Sequence, residues 1–250
     1  MNPTSYNDIY KYGEKILNTI RKNYSLRSST RCATYSDSTR INGKQHINAI
    51  GEEIMADRQQ LGKFHLPRVE YFGRLLKKKT SDTRVGNCGE FADIAEVIAN
   101  LNAKDGYNCF HAGLYSRKAG MAVTDAKNVD HAMVILVNDK TADAIRKFFN
   151  AKDKAKAFPK LNNKNTVVID PWGDFIGNIQ QAKENYKTYF SNAFIAPSKA
   201  RFLIVPDESL DLTKHDLNIL GQKHPNLIIK DTSKTNKGFS FKNLFSKWLG

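Results

Sequence analysis

Three stretches of the 250-residue chain carry residue types suited to nucleophilic chemistry: "GNCGEFADIAEVIANL" from residue 86, "VDHAMVILV" from residue 129 and "VVIDPWGD" from residue 167. In the first, Asn87 has the character of a helix N-cap and Glu90 follows at capping-box spacing, with Asn in place of the usual Ser or Thr. Phe91, Ile94, Ala95, Ile98 and Leu101 then make one apolar face, which places Cys88 at the first helical position. Backbone N–H groups and the helix dipole favour a thiolate there. Gly86 and Gly89 leave room for a substrate backbone. An inert cysteine packed in a core fits this stretch equally well.

His131 opens an apolar strand and shares its face with Met133 and Ile135. A histidine there is commonly structural, but this one is placed to face the same cleft as a helix end. Asp170 closes a buried β-run that Pro171 stops. Burying an unpaired carboxylate is costly, and a histidine N–H is its natural partner. Together the residue types suit acyl transfer. A thiolate attacks a carbonyl, an imidazole takes and returns a proton, and a carboxylate fixes the imidazole tautomer. Water resolves the resulting thioester to an acid, and an amine resolves it to a crosslink.

Other residues compete for these roles. Cys109 and His111 form a C-x-H pair on one strand face, but no second ligand pair has metal-binding spacing, so core packing is the reading preferred. Cys32 lies in the polar stretch "STRCATYS" with no local helix to activate it. Asp130, Asp139 and Asp174 are rival partners for His131; Asp130 should project to the opposite strand face. Trp172 either shields a His–Asp pair from water or is ordinary core.

In their order, the three stretches resemble the core blocks of the transglutaminase-like and papain-like cysteine hydrolase superfamily, whose members include bacterial effectors that deamidate, crosslink or cleave host proteins. The likeness covers roughly residues 84–205. It implies a helix carrying the cysteine, packed on an antiparallel sheet with the histidine and aspartate on neighbouring strands. It further implies Cys88 as nucleophile, His131 as general base and acid, and Asp170 as the orienter of His131, with no cofactor and no metal. The expected partner is a protein substrate, offering a glutamine side chain or a peptide. A bacterial effector context implies synthesis in the bacterial cytoplasm and delivery into a host cell. The chain departs from the papain pattern in lacking a Gln ahead of the cysteine, where "TSDTRVG" stands. The oxyanion hole then needs the Cys88 N–H and a second donor that the sequence does not identify. A non-catalytic binding module retaining the fold is the contrasting expectation.

The elements that must position these residues follow from periodicity. Apolar residues recur at helical spacing over 6–22, 44–63 and the segment after Pro67, with Ser-, Thr- and Arg-rich sequence between the first two. After the Cys88 helix, "YNCFHAGLYS", "DHAMVILVN", "NTVVIDPWGD" and "ARFLIVP" read as strands. Helices are expected at about 141–157 and 210–221. The fold class is therefore α+β: an N-terminal helical region over 1–83, a core over 84–230 and a tail over 231–250. In the tail, Phe241, Leu244, Phe245, Trp248 and Leu249 form a helical stripe flanked by Lys237, Lys242 and Lys247. That stripe suits docking on the core, a partner groove or an anionic membrane.

Composition bounds these readings. A hydrophobic content of 40% supports a packed core, and the net charge of +14 favours acidic partners or anionic surfaces. The lysines are dispersed and no nucleic-acid-binding motif appears, so nucleic acid is not expected. Three cysteines give no disulfide framework and suit a reducing compartment. The first residues have no signal-peptide core, and the longest apolar run, "AMVILV", is too short to span a bilayer; a soluble protein is expected.

Overall fold

The structure is a computed structural model that describes residues 5–24, 59, 67–77, 88–103, 106–118, 126–192, 200–207 and 212–229. The chain begins with helices α1 (Tyr6–Asn23), α2 (Arg68–Lys77) and α3 (Cys88–Leu101). Strands β1 (Asn108–Lys118) and β2 (Lys127–Val137) follow, then helices α4 (Asp139–Asn150) and α5 (Lys154–Ala157). Next come β3 (Thr166–Asp170), β4 (Phe175–Asn178), α6 (Ile179–Asn192), β5 (Ala200–Pro206) and α7 (Lys214–Lys223). A 3-10 turn, Pro225–Leu227, closes the described chain. Apart from Gln59, the expected helix at 44–63 lies outside the described residues, as does the C-terminal stripe.

The strands form one sheet in the order β4-β3-β2-β1-β5, and each neighbouring pair is antiparallel. The protein is thus α+β. Alternation along the central strands sends side chains to two cores. Val134 and Leu136 of β2 and Val167 and Ile169 of β3 pack with α1, α2, α3 and α7. Met133, Ile135 and Val137 of β2 and Val168 of β3 pack on the other face with α4 and α6. Both faces are covered, which explains why β2 and β3 read as continuous apolar runs.

Local chemistry sets the helix ends. Ser5 accepts from the Asp8 N–H at the start of α1, and Asn138 accepts from the Thr141 N–H at the start of α4. At α7, Thr213 and Asp216 cap each other's backbone N–H groups reciprocally. The helix expected over 141–157 is divided. Its first part ends at Asn150, and Asp153 then caps the short α5 through the Lys156 N–H. A favourable N-cap inside a Lys/Ala-rich run restarts the helix instead of continuing it.

Two elements were not read from the sequence, β4 and α6. Asn178 and Gln181 bond reciprocally, each side chain accepting from the other's backbone N–H, so a capping pair does mark the start of α6. Ile179, Ala182 and Tyr186 are its buried face.

The N-terminal helices share the core of α3. Ile9, Ile16 and Ile20 of α1 and Tyr71 and Phe72 of α2 are buried with Ile94 and Ile98. At Gly13, α1 comes so close to the sheet that a Cβ would lie 2.8 Å from Ile176 Cδ1 and 3.2 Å from Ile169 Cδ1. The missing side chain sets this approach. Gly13→Leu should therefore lower stability by about 1–3 kcal/mol or more through overpacking, although Leu is the better helix former. Denaturant unfolding of the two proteins checks this; an unchanged midpoint would mean that α1 does not approach the sheet so closely.

Candidate functional site

The three residues singled out by type come together at one end of the sheet. Strands β2 and β3 are paired up to Val134 and Ile169, and each runs on past that rung, to His131 and to Asp170. Side-chain alternation puts His131 on the face of Met133, and Asp170 on the face of Val168. From there His131 Nε2 lies 2.8 Å from Asp170 Oδ2. Cys88 is the first residue of α3, which packs against β2 from the other face. Its side chain hydrogen-bonds to the imidazole. Because Nε2 is engaged by Asp170, Nδ1 is the nitrogen left for Cys88.

Asp170 is fully buried and His131 nearly so. The carboxylate is nevertheless well provided for. Oδ1 accepts the Gly173 N–H at 2.9 Å, while Oδ2 accepts both His131 and the Tyr186 hydroxyl, the latter at 3.0 Å. The turn after β3 makes the first of these bonds. Pro171 stops the strand and the chain folds back so that the Gly173 N–H meets the Asp170 side chain. A Cβ at residue 173 would sit 2.6 Å from Asp170 Oδ2, so this turn needs glycine. Trp172 packs edge-on to the His131 ring at 5.1 Å, and Tyr186 flanks it at 5.2 Å. The imidazole therefore has aromatic walls and two defined polar partners.

Burial alone would favour a neutral imidazole, but the Asp170 charge and hydrogen bond, with a smaller contribution from Cys88, outweigh it and raise the His131 pKa to about 10. Burial likewise opposes ionisation of Asp170, and His131, Gly173 and Tyr186 together hold its pKa below the ordinary value. The pair is an imidazolium–carboxylate at neutral pH. Cys88 stands beside this imidazolium at the first residue of α3.

The described rivals lie elsewhere. Asp174 pairs with Arg21 at 2.7 Å, and Asp139 accepts from the Asn108 side chain at 2.8 Å. The Asp130 side chain, Cys32, Gly86 and Asn87 lie outside the described residues. Cys109 and His111 face α3, on the side away from Phe110 and Ala112. Burial, then the charge of Glu96, pushes the Cys109 thiol up, and His111 lies 3.8 Å from Asp93, which also accepts from Tyr71. Among the described residues no group of three or more His, Cys, Asp or Glu side chains is placed to hold a metal ion. Tyr186 and Gly173 were missed in the sequence. The capping pair before α6, followed by its apolar spacing, could have flagged a buried tyrosine but not its partner. No protein-family model, curated protein or solved structure matches the chain.

The pair links stability to pH with a defined sign. His131 titrates higher in the folded protein than its ordinary 6.5, so its contribution is complete below 6.5 and is lost as pH rises toward about 10. Asp170 titrates below its ordinary 3.8, so its contribution is present above 3.8 and is lost as pH falls through the lowered value. We expect wild-type stability to decline between pH 7 and 10 more steeply than that of Asp170→Asn, in which the charge that raises His131 is gone. At pH 6, His131→Ala should cost about 3–5 kcal/mol, because it strands a buried carboxylate. Urea midpoints across pH measure both. Parallel pH profiles for wild type and Asp170→Asn would rule out the linkage.

Proposed function

We propose that this protein is a cysteine-dependent acyl-transfer enzyme acting on protein amides, with Cys88 as nucleophile, His131 as general acid and base, and Asp170 as the group that orients His131. The observation that carries the reading is the continuous hydrogen-bonded line from the Cys88 thiol through His131 to Asp170. The arrangement also supports a papain- or transglutaminase-like core: the cysteine opens a helix packed on an antiparallel sheet, and the histidine and aspartate stand on adjacent strands.

In the proposed reaction the Cys88 thiolate attacks the carbonyl carbon of a glutamine side chain. The Cys88 N–H, at the first residue of the helix, is the backbone donor assigned to the developing oxyanion. As the tetrahedral intermediate collapses, the C–N bond breaks and His131 delivers its proton to the departing ammonia. A thioester remains on Cys88. The neutral imidazole then takes a proton from water or from a primary amine as that nucleophile attacks. The C–S bond breaks, and the product is a glutamate or a substituted amide. Asp170 holds the imidazole tautomer and stabilises the imidazolium throughout.

Glutamine deamidation or transamidation is preferred to general proteolysis because α1 and α2, together with the α4–α5 segment between β2 and β3, give surface beyond the minimum for grasping a folded protein. The net charge of +14 suits an acidic target. With the resemblance to bacterial effectors, this extends the proposal to modification of a host protein after delivery from the bacterium. Among the described residues no helix is long and apolar enough to cross a membrane.

Two measurements test the reading. Cys88 should be alkylated by iodoacetamide near neutral pH faster than Cys109, whose thiol is pushed up by burial; equal rates in peptide mapping would remove the case for an activated Cys88. Wild type and Cys88→Ala should also be incubated with acidic candidate proteins, with and without a primary amine, and the products read by mass spectrometry. Wild type should convert glutamine to glutamate or incorporate the amine, and Cys88→Ala should lose the activity by about ten-thousand-fold or more. New peptide termini without altered glutamine would make the protein a protease. The absence of any Cys88-dependent product would leave a binding module.

A further inference from the structure

We propose that Tyr186 is a positioning residue for the reacting group: its hydroxyl shares Asp170 Oδ2 with His131, dividing the carboxylate's pull between two donors and fixing the ring that faces Cys88. The inference rests on the reading of Cys88, His131 and Asp170 given above and adds a fourth member from a different element.

The geometry is specific. The Tyr186 hydroxyl donates to Asp170 Oδ2 at 3.0 Å, the same atom that engages His131 Nε2 at 2.8 Å. The hydroxyl also approaches Met133 Sδ at 3.5 Å, and the Tyr186 ring lies 5.2 Å from the imidazole at 65°. With Gly173 holding Oδ1, both carboxylate oxygens are tied and the group cannot rotate. The imidazole is fixed in turn by Asp170 and by the Trp172 and Tyr186 rings. Tyr186 is buried, so it acts through Asp170 and does not touch a substrate. Burial, then the Asp170 charge, pushes its phenol well above the ordinary 10, so it remains a donor across the working range.

The titratable groups facing the imidazole, among the described residues, are Cys88 from α3, Asp170 from β3 and Tyr186 from α6. A carboxylate with one donor on Oδ2 would hold the imidazolium proton more tightly. That proton must leave for the departing amine. A second donor on the same oxygen weakens the hold while keeping Asp170 ionised.

The test uses the whole chain. Tyr186→Phe keeps the ring and removes the donor, while 3-fluorotyrosine at position 186 makes the donor stronger. The readouts are the His131 imidazole titration, followed by NMR on histidine-labelled protein, and the Cys88 alkylation rate at neutral pH. We expect the titration to move up in Tyr186→Phe and down in the fluorinated protein, with Cys88 alkylation at neutral pH changing in opposite senses in the two variants. Met133→Leu, which keeps the phenol on Asp170, should leave the titration in place. An unshifted His131 in folded Tyr186→Phe, or shifts of the same sign in both tyrosine variants, would overturn the proposal. If Tyr186→Phe does not fold, the fluorinated protein decides: a downward shift supports the proposal and no shift overturns it. Opposite shifts combined with no Cys88-dependent product on any substrate would sink the enzymatic reading and leave the coupling of Tyr186 to His131 standing.

Discussion

A carboxylate without solvent contact is the constraint around which this end of the molecule is organised. Asp170 sits where β3 stops, and everything near it supplies a donor: a histidine from the neighbouring strand, a backbone N–H from the turn that follows, and a phenol from α6. Removing water from a carboxylate is expensive, and the cost is met only if its lone pairs are filled. That requirement fixes the position of β2 relative to β3, forces glycine at residue 173 and draws α6 down onto the sheet. Stability and the chemistry proposed for Cys88 therefore meet at the same atoms. The arrangement that makes Asp170 tolerable also sets the imidazole in one orientation, with one nitrogen toward Cys88.

The site joins two layers that are otherwise separate. Cys88 belongs to the helix on one face of the sheet, while His131 and Asp170 share the parity of the residues packed under α6 on the other. They meet past the last rung that joins β2 to β3, where β2 stays paired with β1 and Asp170 with Phe175 of β4. A cysteine that began α3 a turn later would be carried away from the imidazole over the apolar face of the sheet, since each turn of helix advances about 5.4 Å.

How much of this could be read in advance depended on where each partner lies in the chain. The start of α3 at Cys88, four of the five described strands and the Asp-Pro stop were legible because propensity, alternation and turn chemistry are local. The pairing of His131 with Asp170, in place of Asp139 or Asp174, was legible too, because a carboxylate ending a buried strand needs a partner. Tyr186 was not. Its hydroxyl meets Asp170 only after β4 and α6 have folded back across the sheet, and no local pattern encodes that return. β4 was lost for a related reason: "FIGN" is short and starts directly after a tight turn, so too few residues show the alternation that marks a strand. The break between α4 and α5 was also hidden, because good helix formers surround the Asp153 cap that interrupts them.

The far end of α3 is tied to segments distant from it in the chain. The Tyr12 hydroxyl of α1 lies 2.8 Å from the Ala99 carbonyl and 2.7 Å from that of Asn102, closing the last turn of the helix that begins with Cys88. The Asn102 side chain bonds to the Leu227 carbonyl and accepts from the Ile229 N–H, fastening the C-terminal segment at the same place. The cysteine-bearing helix is thus gripped at its tail by segments that lie before residue 24 and after residue 225. Trimming the chain to the stretch between Cys88 and Pro206 would keep all three residues of the site and lose both clasps on the helix that aims one of them. A shorter chain that kept this arrangement would therefore require new partners for the carbonyls at the end of α3.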